Sequence, residues 1–350
     1  MYTQENSSTV RNRLIEIYKK ETPPDSAEYS EVIDSVNSVL LTEDREIRPY
    51  DSAGLPGGIV YLKKNIPTVI IPDIHARMDF FLKVMLFNNK FGETNLESVA
   101  SDKLQIVCVG DAMHGEKRAA KRWADAYNEF LTDYATHKNI DVEMKESFGV
   151  MEMIMEVKRN FPDNFHFLKG NHENIKNEEG GGNNPFIKFS HEGPMVSYYV
   201  EKFYGGEFLN KYYYYEKNLP LFTVGKNFLI SHAEPWDFYN KDEILEYRNN
   251  PDVVEGLTWT ADEAASDGSV AQMMNNYIEN EEDREKSYYF GGHRPVRDLY
   301  NTRAGGKYVQ IHNPDKFILA WIDINDIDLD RDIIELDNNS DDTTEAAMED

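Results

Sequence analysis

Five short polar clusters, each of which follows an apolar run, contain the residues of this sequence that are best suited to chemistry. In chain order they are Asp73-Ile74-His75, Gly110-Asp111, Gly170-Asn171-His172-Glu173, Ser231-His232 and Gly291-Gly292-His293. Together they supply two Asp, one Asn and three His that could bind metal, and a further histidine, His172, that could donate a proton. Oxygen and imidazole ligands suit divalent ions such as Mn, Fe and Zn, and the absence of cysteine from these clusters disfavours a thiolate zinc site. Hydrolysis assisted by two metal ions is the chemistry that this set of residues indicates.

The apolar runs before these clusters have the length and composition of β-strands. Strands are predicted at Ile59–Leu62, Thr68–Ile71, Leu104–Val109, Phe165–Leu168, Leu221–Val224, Phe228–Ile230, Tyr288–Phe290, Tyr308–Ile311 and Phe317–Ile322. Several of these runs are apolar throughout, as is typical of strands buried on both faces. Helical patterns lie between them, at Phe80–Asn89, Glu116–Tyr134, Lys145–Arg159 and Glu192–Tyr204. The alternation predicts an α/β (α+β) layered domain, and ligands in such sheets bind beyond the carboxyl ends of the strands.

Composition limits the class of protein. The 350 residues are 40% hydrophobic and can form one large domain or two average ones. A net charge of −26 argues against a protein that coats nucleic acid. The single cysteine, Cys108, cannot form an internal disulfide, and neither an apolar leader nor a membrane-spanning run is present. The sequence therefore predicts a soluble, cytoplasmic protein without a membrane partner.

Three regions are predicted along the chain. Residues 1–48 form an N-terminal extension with helices at Val10–Tyr18 and Tyr29–Leu41, broken near Pro23. Residues 49–323 form the main domain. Residues 324–350 form an acidic tail, which is predicted to be disordered because it is polar, charged and free of aromatic residues.

The five clusters resemble the motifs of the calcineurin-like metallophosphoesterases, in particular the branch containing the phosphoprotein (Ser/Thr) phosphatases and the bacterial diadenosine tetraphosphatases. The pattern of that family runs GDxHG, GDxxDRG, GNHE, H and GH. This sequence has PDIHA, GDAMHGE, GNHE, SHAEP and GGHRP in the same order. The resemblance covers roughly residues 68–322.

The resemblance implies a two-sheet β-sandwich flanked by helices, with its active site at the carboxyl ends of the strands. It also implies two divalent metal ions, of which Mn is favoured and Fe, Zn or Mg are alternatives. Asp73 and His75 would hold the first ion, and Asp111 would bridge both. Asn171, His232 and His293 would hold the second ion, and His172 would protonate the leaving group. The implied substrate is phosphorylated, either a phosphoprotein or a small phosphoester or nucleotide.

Three departures from the family pattern affect the expected site. Pro72 and Ala76 stand where the first motif has glycines. His114 replaces an Asp that usually orients the acid histidine, and Gly115 replaces an Arg that grips the phosphate in protein phosphatases. All six metal ligands are nevertheless retained. A guanidinium can contact phosphate through two hydrogen bonds, and the arginines proposed to compensate are Arg77, Arg118 and Arg294.

The remaining histidines, His137, His166, His191 and His312, lie outside the motifs and are interpreted as structural. Three functions stay open. The first is a dinuclear phosphoesterase that hydrolyses phosphomonoesters, with phosphoserine or phosphothreonine in proteins as the family-implied substrate. The second is a nucleotidase or dinucleoside-polyphosphate hydrolase. The third is a non-catalytic, metal-stabilised binding protein that uses its acidic tail and N-terminal helices as contacts.

Overall fold

The computed structural model describes residues 4–336, with side chains described from residue 6 onward. The strands are β1 Ile59–Tyr61, β2 Thr68–Ile71, β3 Gln105–Cys108, β4 Phe165–Phe167, β5 Phe222–Val224, β6 Phe228–Ser231, β7 Tyr288–Gly291, β8 Asn301–Arg303, β9 Tyr308–Gln310, β10 Phe317–Ile322 and β11 Ile333–Leu336. The helices are α1 Gln4–Lys19, α2 Ser26–Leu41, α3 Met78–Leu86, α4 Asn95–Ala100, α5 Ala120–Leu131, α6 Lys138–Asn160, α7 Glu192–Phe203, α8 Gly205–Lys217, α9 Lys241–Leu245, α10 Pro251–Thr258, α11 Ser269–Tyr277, α12 Glu281–Glu285 and α13 Leu329–Asp332. All nine predicted strands are therefore confirmed, and β8 and β11 are additional.

The strands form two mixed sheets. One sheet has the order β1-β5-β6-β7-β9-β8, and the other has the order β11-β10-β2-β3-β4. Strands β2, β3 and β4 run parallel to one another, and so do β6, β7 and β9. Their carboxyl ends therefore point the same way within each sheet, which is the arrangement that gathers the polar clusters.

The two sheets pack face to face and helices cover both outer faces. In β2, Ile70 belongs to the core between the sheets, whereas Val69 and Ile71 belong to the core beneath the helices. Successive side chains of a strand point to opposite faces, so an apolar run throughout β2 is required by burial on both sides. Helices α1 to α8 cover the five-stranded sheet, and α9 to α11 cover the six-stranded one. The predicted sandwich flanked by helices is confirmed.

The N-terminal helices belong to the same apolar core as the sheet-covering helices. Tyr29 of α2 is fully buried and packs edge-on against Phe148 of α6, with ring centroids 5.3 Å apart. Just beyond α2, the Glu43 carboxylate accepts from the buried Arg48 and Lys158 at 2.6 and 2.5 Å. The predicted extension 1–48 is thus packed and ion-paired against the main domain over the residues that are described.

The predicted boundary of the acidic tail at residue 324 is wrong for its first part. Strand β11 pairs with β10 in antiparallel register, and its residues Ile333 and Leu336 are buried. The acids before it have structural partners: Asp328 caps α13 by accepting from two backbone N–H groups, and the buried Asp332 pairs with Arg331. Capping is a usual role of aspartate at a helix start. Residues 337–350 lie outside the described residues. Among residues 4–336, no helix is both long and apolar enough to cross a membrane.

Candidate metal centre

The six predicted metal ligands lie together where the carboxyl ends of strands from both sheets meet. They follow the strands in this way: Asp73 and His75 follow β2, Asp111 follows β3, Asn171 follows β4, His232 follows β6 and His293 follows β7. Three of these strands belong to one sheet and two to the other. All six side chains are buried or half-buried. The predicted convergence of five strand ends is therefore present.

Several residues of these loops have left-handed backbone conformations. The φ angles are 47° at His75, 59° at Ala76, 52° at Asp111, 67° at His114 and 64° at His293. Such angles are uncommon for residues with a Cβ and tend to cluster at functional sites. They turn the chain sharply enough for the amides of residues 74 and 75 to donate to the Asp111 carbonyl at 3.0 and 2.9 Å. The first two metal-ligand loops are thus tied together through their backbones.

Two motif glycines are required because aspartate side chains lie against their Cα atoms. A Cβ added to Gly170 would lie 2.2 Å from Asp111 Oδ1, and one added to Gly292 would lie 1.8 Å from Asp73 Oδ1. Neither distance is tolerable between nonbonded atoms. The glycines therefore hold open the space that both carboxylates occupy.

The first group of ligand atoms lies around Asp73, His75 and Asp111. His75 Nε2 is 3.9 Å from Asp73 Oδ2 and 3.8 Å from Asp111 Oδ2. The other ring nitrogen, Nδ1, is 3.2 Å from the backbone carbonyl of His114. A carbonyl can only accept, so Nδ1 carries the proton and Nε2 is left as a free lone pair facing the carboxylates.

The second group lies around the amide oxygen of Asn171. This Oδ1 atom is 2.9 Å from His232 Nε2 and 2.8 Å from His293 Nδ1. His232 Nε2 is also 3.4 Å from Asp111 Oδ2, and its Nδ1 lies 3.0 Å from the Val109 carbonyl. Ligand atoms bound about 2.0–2.1 Å from one ion are roughly 2.9 Å apart when they subtend a right angle, so these separations match a coordination polyhedron.

The chemistry of the site fits two divalent ions. Asp73 Oδ1 and His293 Nε2 are buried without a hydrogen-bond partner among the described residues, although buried polar atoms are normally satisfied. Burial would lower the pKa of His232, but Asp111 and Asp73 outweigh it and raise the pKa to about 9. Burial would also raise the pKa of Asp111, yet His172 and His232 hold it well below its usual range. The carboxylates therefore create a field that stabilises positive charge.

The proposed acid, His172, lies between this field and a second imidazole. Its Nε2 is 3.7 Å from Asp111 Oδ2, and its Nδ1 is 3.1 Å from His114 Nδ1. Its ring also packs on Phe186, with centroids 3.7 Å apart. Burial lowers the pKa of His172 well below its ordinary value, and it lowers that of His114 to about 3. His114 is thus a neutral partner at the position where the family pattern has a carboxylate.

Glu173 binds backbone amides of two ligand loops. Its carboxylate accepts from the N–H groups of Gly170 at 2.6 Å, Asp111 at 2.9 Å and Ala112 at 3.0 Å. Both carboxylate oxygens are used in these bonds, so the side chain fixes the loop after β3 to the loop after β4.

The three predicted phosphate-binding arginines have different surroundings. The buried Arg77 donates to four backbone carbonyls, including those of Ile74 and Asp73, which corrects the prediction because four of its five N–H groups are already used within the protein. Arg118 donates to the Ala76 carbonyl at 2.8 Å and pairs with Glu146 at 2.9 Å. Arg294 is exposed. It alone of the three has its guanidinium available.

Two residues at the edge of the metal site are absent from the sequence prediction. His312 was interpreted as structural, yet it is fully buried beside Asp73 and within reach of His75. Glu116 accepts from His312 Nε2 at 3.0 Å and lies 3.7 Å from His75 Nε2. His312 follows a predicted strand, as the motif residues do, so its position was a signal that could have found it. Glu116 carried no such signal.

The loop after the GNHE motif reaches the same side of the site. Its glycines Gly180 to Gly182 all have positive φ angles. Phe186 packs on His172, and Lys188 Nζ donates to Glu116 Oε1 at 2.6 Å. A cavity of about 750 Å³ opens beside Glu116 and Lys188. A second cavity of about 490 Å³, near Trp236, is not lined by any of the predicted ligands.

Comparison with solved structures identifies relatives of the fold. A protein serine/threonine phosphatase from Saccharomyces cerevisiae, described as similar to human phosphatase PP5, matches with a TM-score of 0.53 and 13% identity, and the match covers 89% of each chain. A cold-active protein-tyrosine phosphatase of a Shewanella species matches with a TM-score of 0.46 and 12% identity, and the match covers 75% of this chain and 76% of the phosphatase. No protein-family model matches this sequence, and no curated protein matches it.

The chain shares the fold of the yeast serine/threonine phosphatase, with two mixed sheets flanked by helices. The predicted resemblance to phosphoprotein phosphatases is confirmed at the level of the fold. Buried His and Asp groups at the strand ends form a candidate dinuclear metal site.

Proposed function

We propose that this protein is a dinuclear metal-dependent phosphoesterase that hydrolyses phosphomonoesters, with phosphoserine or phosphothreonine in proteins as its substrate. The observation that carries the proposal is the position of the Asp111 carboxylate. Its Oδ2 atom lies 3.8 Å from His75 Nε2 on one side and 3.4 Å from His232 Nε2 on the other. One carboxylate between two sets of lone pairs is the arrangement that a bridging ligand requires.

Asp73, His75 and Asp111 would hold the first ion, and Asp111, Asn171, His232 and His293 the second. Mn is the favoured metal, with Fe, Zn or Mg as alternatives, because the donors are carboxylate, amide and imidazole. When bound, the two ions would polarise a phosphoryl oxygen and activate water for attack on phosphorus.

His172 would supply the proton that the leaving alkoxide needs. The contact between the two Nδ1 atoms needs one donor, and with His114 as that donor the neutral His172 carries its proton on Nε2, on the side of the site where Asp111 lies. Phe186 packs on the imidazole and shields it from solvent. A proton placed in this way contributes a factor on the order of 10²–10⁴ to the rate when the leaving group is poor.

Arg294 is the arginine best placed to bind the substrate phosphate. It is exposed, follows His293 directly and forms no ion pair with any of residues 6–336. Gly115 cannot be replaced by the family arginine without rearrangement, because a Cβ there would lie 2.8 Å from Ala119 Cβ. The nearby Arg122 does not substitute for that arginine, since it pairs with Glu143 and Glu146.

The test is hydrolysis of p-nitrophenyl phosphate by metal-stripped protein that has been reconstituted with Mn²⁺, with bound metal measured in parallel. We expect turnover to return at about two ions per chain. Asp111→Asn should lose both metal and turnover, whereas Asp125→Asn, at a partly exposed residue of α5 that pairs with Lys121, should keep both. Wild-type activity in Asp111→Asn would contradict the assignment.

A substrate screen would then separate the remaining functions. Preference for phosphopeptides over nucleotides supports the protein phosphatase, and the reverse preference would indicate a nucleotidase or dinucleoside-polyphosphate hydrolase. Two bound ions without turnover on any of these substrates would refute catalysis and leave a metal-stabilised binding protein.

A further inference from the structure

His312 lies outside every motif of the sequence but at the edge of the first ligand group. It follows β9 and is fully buried. Its Nε2 is 3.0 Å from Glu116 Oε2, and its Nδ1 is 3.8 Å from Asp73 Oδ2. No atom of the described residues forms a hydrogen bond with Nδ1. A buried imidazole nitrogen without a partner needs an explanation.

The hydrogen bond to Glu116 settles which nitrogen of the neutral ring carries the proton. A carboxylate only accepts, so His312 donates from Nε2 and keeps a lone pair on Nδ1. That lone pair faces the Asp73 carboxylate, which is also an acceptor, at a distance too long for any hydrogen bond. Two acceptors 3.8 Å apart can both lie about 2.0–2.2 Å from one ion placed between them.

We propose that His312 is a fourth protein ligand of the first metal ion, oriented by Glu116. With Asp73, His75 and Asp111 it gives that ion two imidazoles and two carboxylates. Metal-bound histidines regularly donate their other N–H to a carboxylate, which fixes the ring and increases its basicity. Glu116 has this position. The inference rests on the proposed dinuclear site but not on catalysis.

Glu116 is better explained as this orienting group than as a ligand. Its Oε2 accepts from His312, and its Oε1 accepts from Lys188 Nζ at 2.6 Å. Both oxygens are therefore in use. Because Lys188 belongs to the loop that also carries Phe186, the contact links that loop to the environment of the first ion.

A four-ligand first site has a consequence for the order of metal loss. Asp111 is shared, so the second ion keeps Asn171, His232 and His293 as its own ligands, and the first keeps Asp73, His75 and His312. Without His312, the first ion would have only two ligands of its own. Removal of His312 should therefore weaken the first site selectively.

The experiment is titration of the metal-stripped full-length protein with Co²⁺, which reports ligand number through its visible absorption. Wild type should bind two ions. His312→Ala should bind one of them at least tenfold more weakly and change the intensity of the visible bands, whereas His137→Ala, a control at a partly exposed histidine that pairs with Asp141, should match wild type.

A second variant protects the test against misfolding. Glu116→Gln leaves the ring in place and should weaken the same site about 10–100-fold, as loss of orienting partners typically does, with an unchanged far-ultraviolet circular dichroism spectrum. Unchanged affinities and spectra in both variants, beside two ions in wild type, would overturn this inference alone. A wild-type protein that binds no Co²⁺ would overturn the proposed function as well.

Discussion

Substitution of Glu43 tests how the N-terminal segment is attached to the fold. The carboxylate accepts from Arg48 Nη1 at 2.6 Å and from Lys158 Nζ at 2.5 Å. Arg48 also donates to the carbonyls of Gly57 and Asn218, at 2.7 and 2.6 Å. The network therefore joins the segment after α2 to helix α6, to the start of β1 and to the end of α8. Its three charged residues are almost completely buried.

The expected loss of folding free energy follows from the pKa of Glu43. Burial would raise the pKa of Glu43, but Lys158 and Arg48 outweigh it and lower the pKa from 4.5 to about 2. That difference corresponds to about 3 kcal/mol of folding free energy at pH 7. Removing one partner of a buried pair typically costs about 3–5 kcal/mol. Burial lowers the pKa of Lys158 despite its contact with Glu43, so loss of its proton limits the cost and favours the lower figure.

The pH dependence has a definite sign. A carboxyl group whose pKa is lower in the folded state stabilises the fold above its unfolded pKa, and this contribution is lost as the pH falls toward the folded pKa. For Glu43 the contribution is complete above about pH 5 and falls to about 1 kcal/mol at pH 3. Glu43→Gln should therefore be destabilised by about 3 kcal/mol at pH 7, and the deficit should shrink on acidification.

Urea unfolding followed by circular dichroism at pH 7 and pH 3 measures both quantities. Glu46→Gln is the matched control because Glu46 is exposed three residues away, and it should change stability by less than about 0.5 kcal/mol. A Glu43→Gln variant as stable as the control at pH 7 would refute the reasoning. So would a deficit that stays the same at both pH values.

Three further predictions concern the site. Gly292→Ala should displace Asp73, whose Oδ1 lies 1.8 Å from the added Cβ, and should therefore reduce the bound metal found by elemental analysis. The control Gly206→Ala, whose added Cβ meets nothing within 4 Å, should bind as much metal as wild type. His172→Ala should keep both ions and slow hydrolysis of a phosphopeptide by a factor on the order of 10²–10⁴, with a smaller loss on p-nitrophenyl phosphate; equal losses on both substrates would count against its role as acid. Chelation should lower the thermal unfolding midpoint of wild type, because it removes about 2.7 kcal/mol of stabilisation where the metal had been at 100 times its dissociation constant, and it should leave the midpoint of Asp111→Asn unchanged.

The strands were predictable where burial dictated composition. Strands with both faces in a core must be apolar throughout, and the predicted and observed bounds of Thr68–Ile71 and Phe317–Ile322 coincide. Strand β8, Asn301–Arg303, lies at the edge of its sheet and is mostly exposed, so it carries no apolar signal. Strand β11 lies within an acidic segment of the sequence. Its position is fixed by backbone pairing with β10, which the charges of the segment do not indicate.

The site was predictable only as far as its residues follow strands in recognisable motifs. The six ligands do so, and the structure brings them together. The sequence predicts phosphate binding by Arg77 because its charge is visible there, whereas two of the four carbonyls that its guanidinium binds belong to Asn313 and Lys316, which are distant in the chain. Glu116 and His312 are separated by 196 residues, and only the tertiary fold makes them partners.

The division of ligands between the two sheets connects metal binding to the stability of the sandwich. Asp73, Asp111 and Asn171 follow strands of one sheet, and His232 and His293 follow strands of the other. The relative position of the sheets is set by the core between them, where Ile70 and Val107 of one sheet belong to the same cluster as Ile230 and Phe290 of the other. Ions bound at this junction would bind the folded protein and not the unfolded chain, so their binding free energy adds to the folding free energy. By the same linkage, a substitution that loosens the core between the sheets should weaken metal binding even though it touches no ligand.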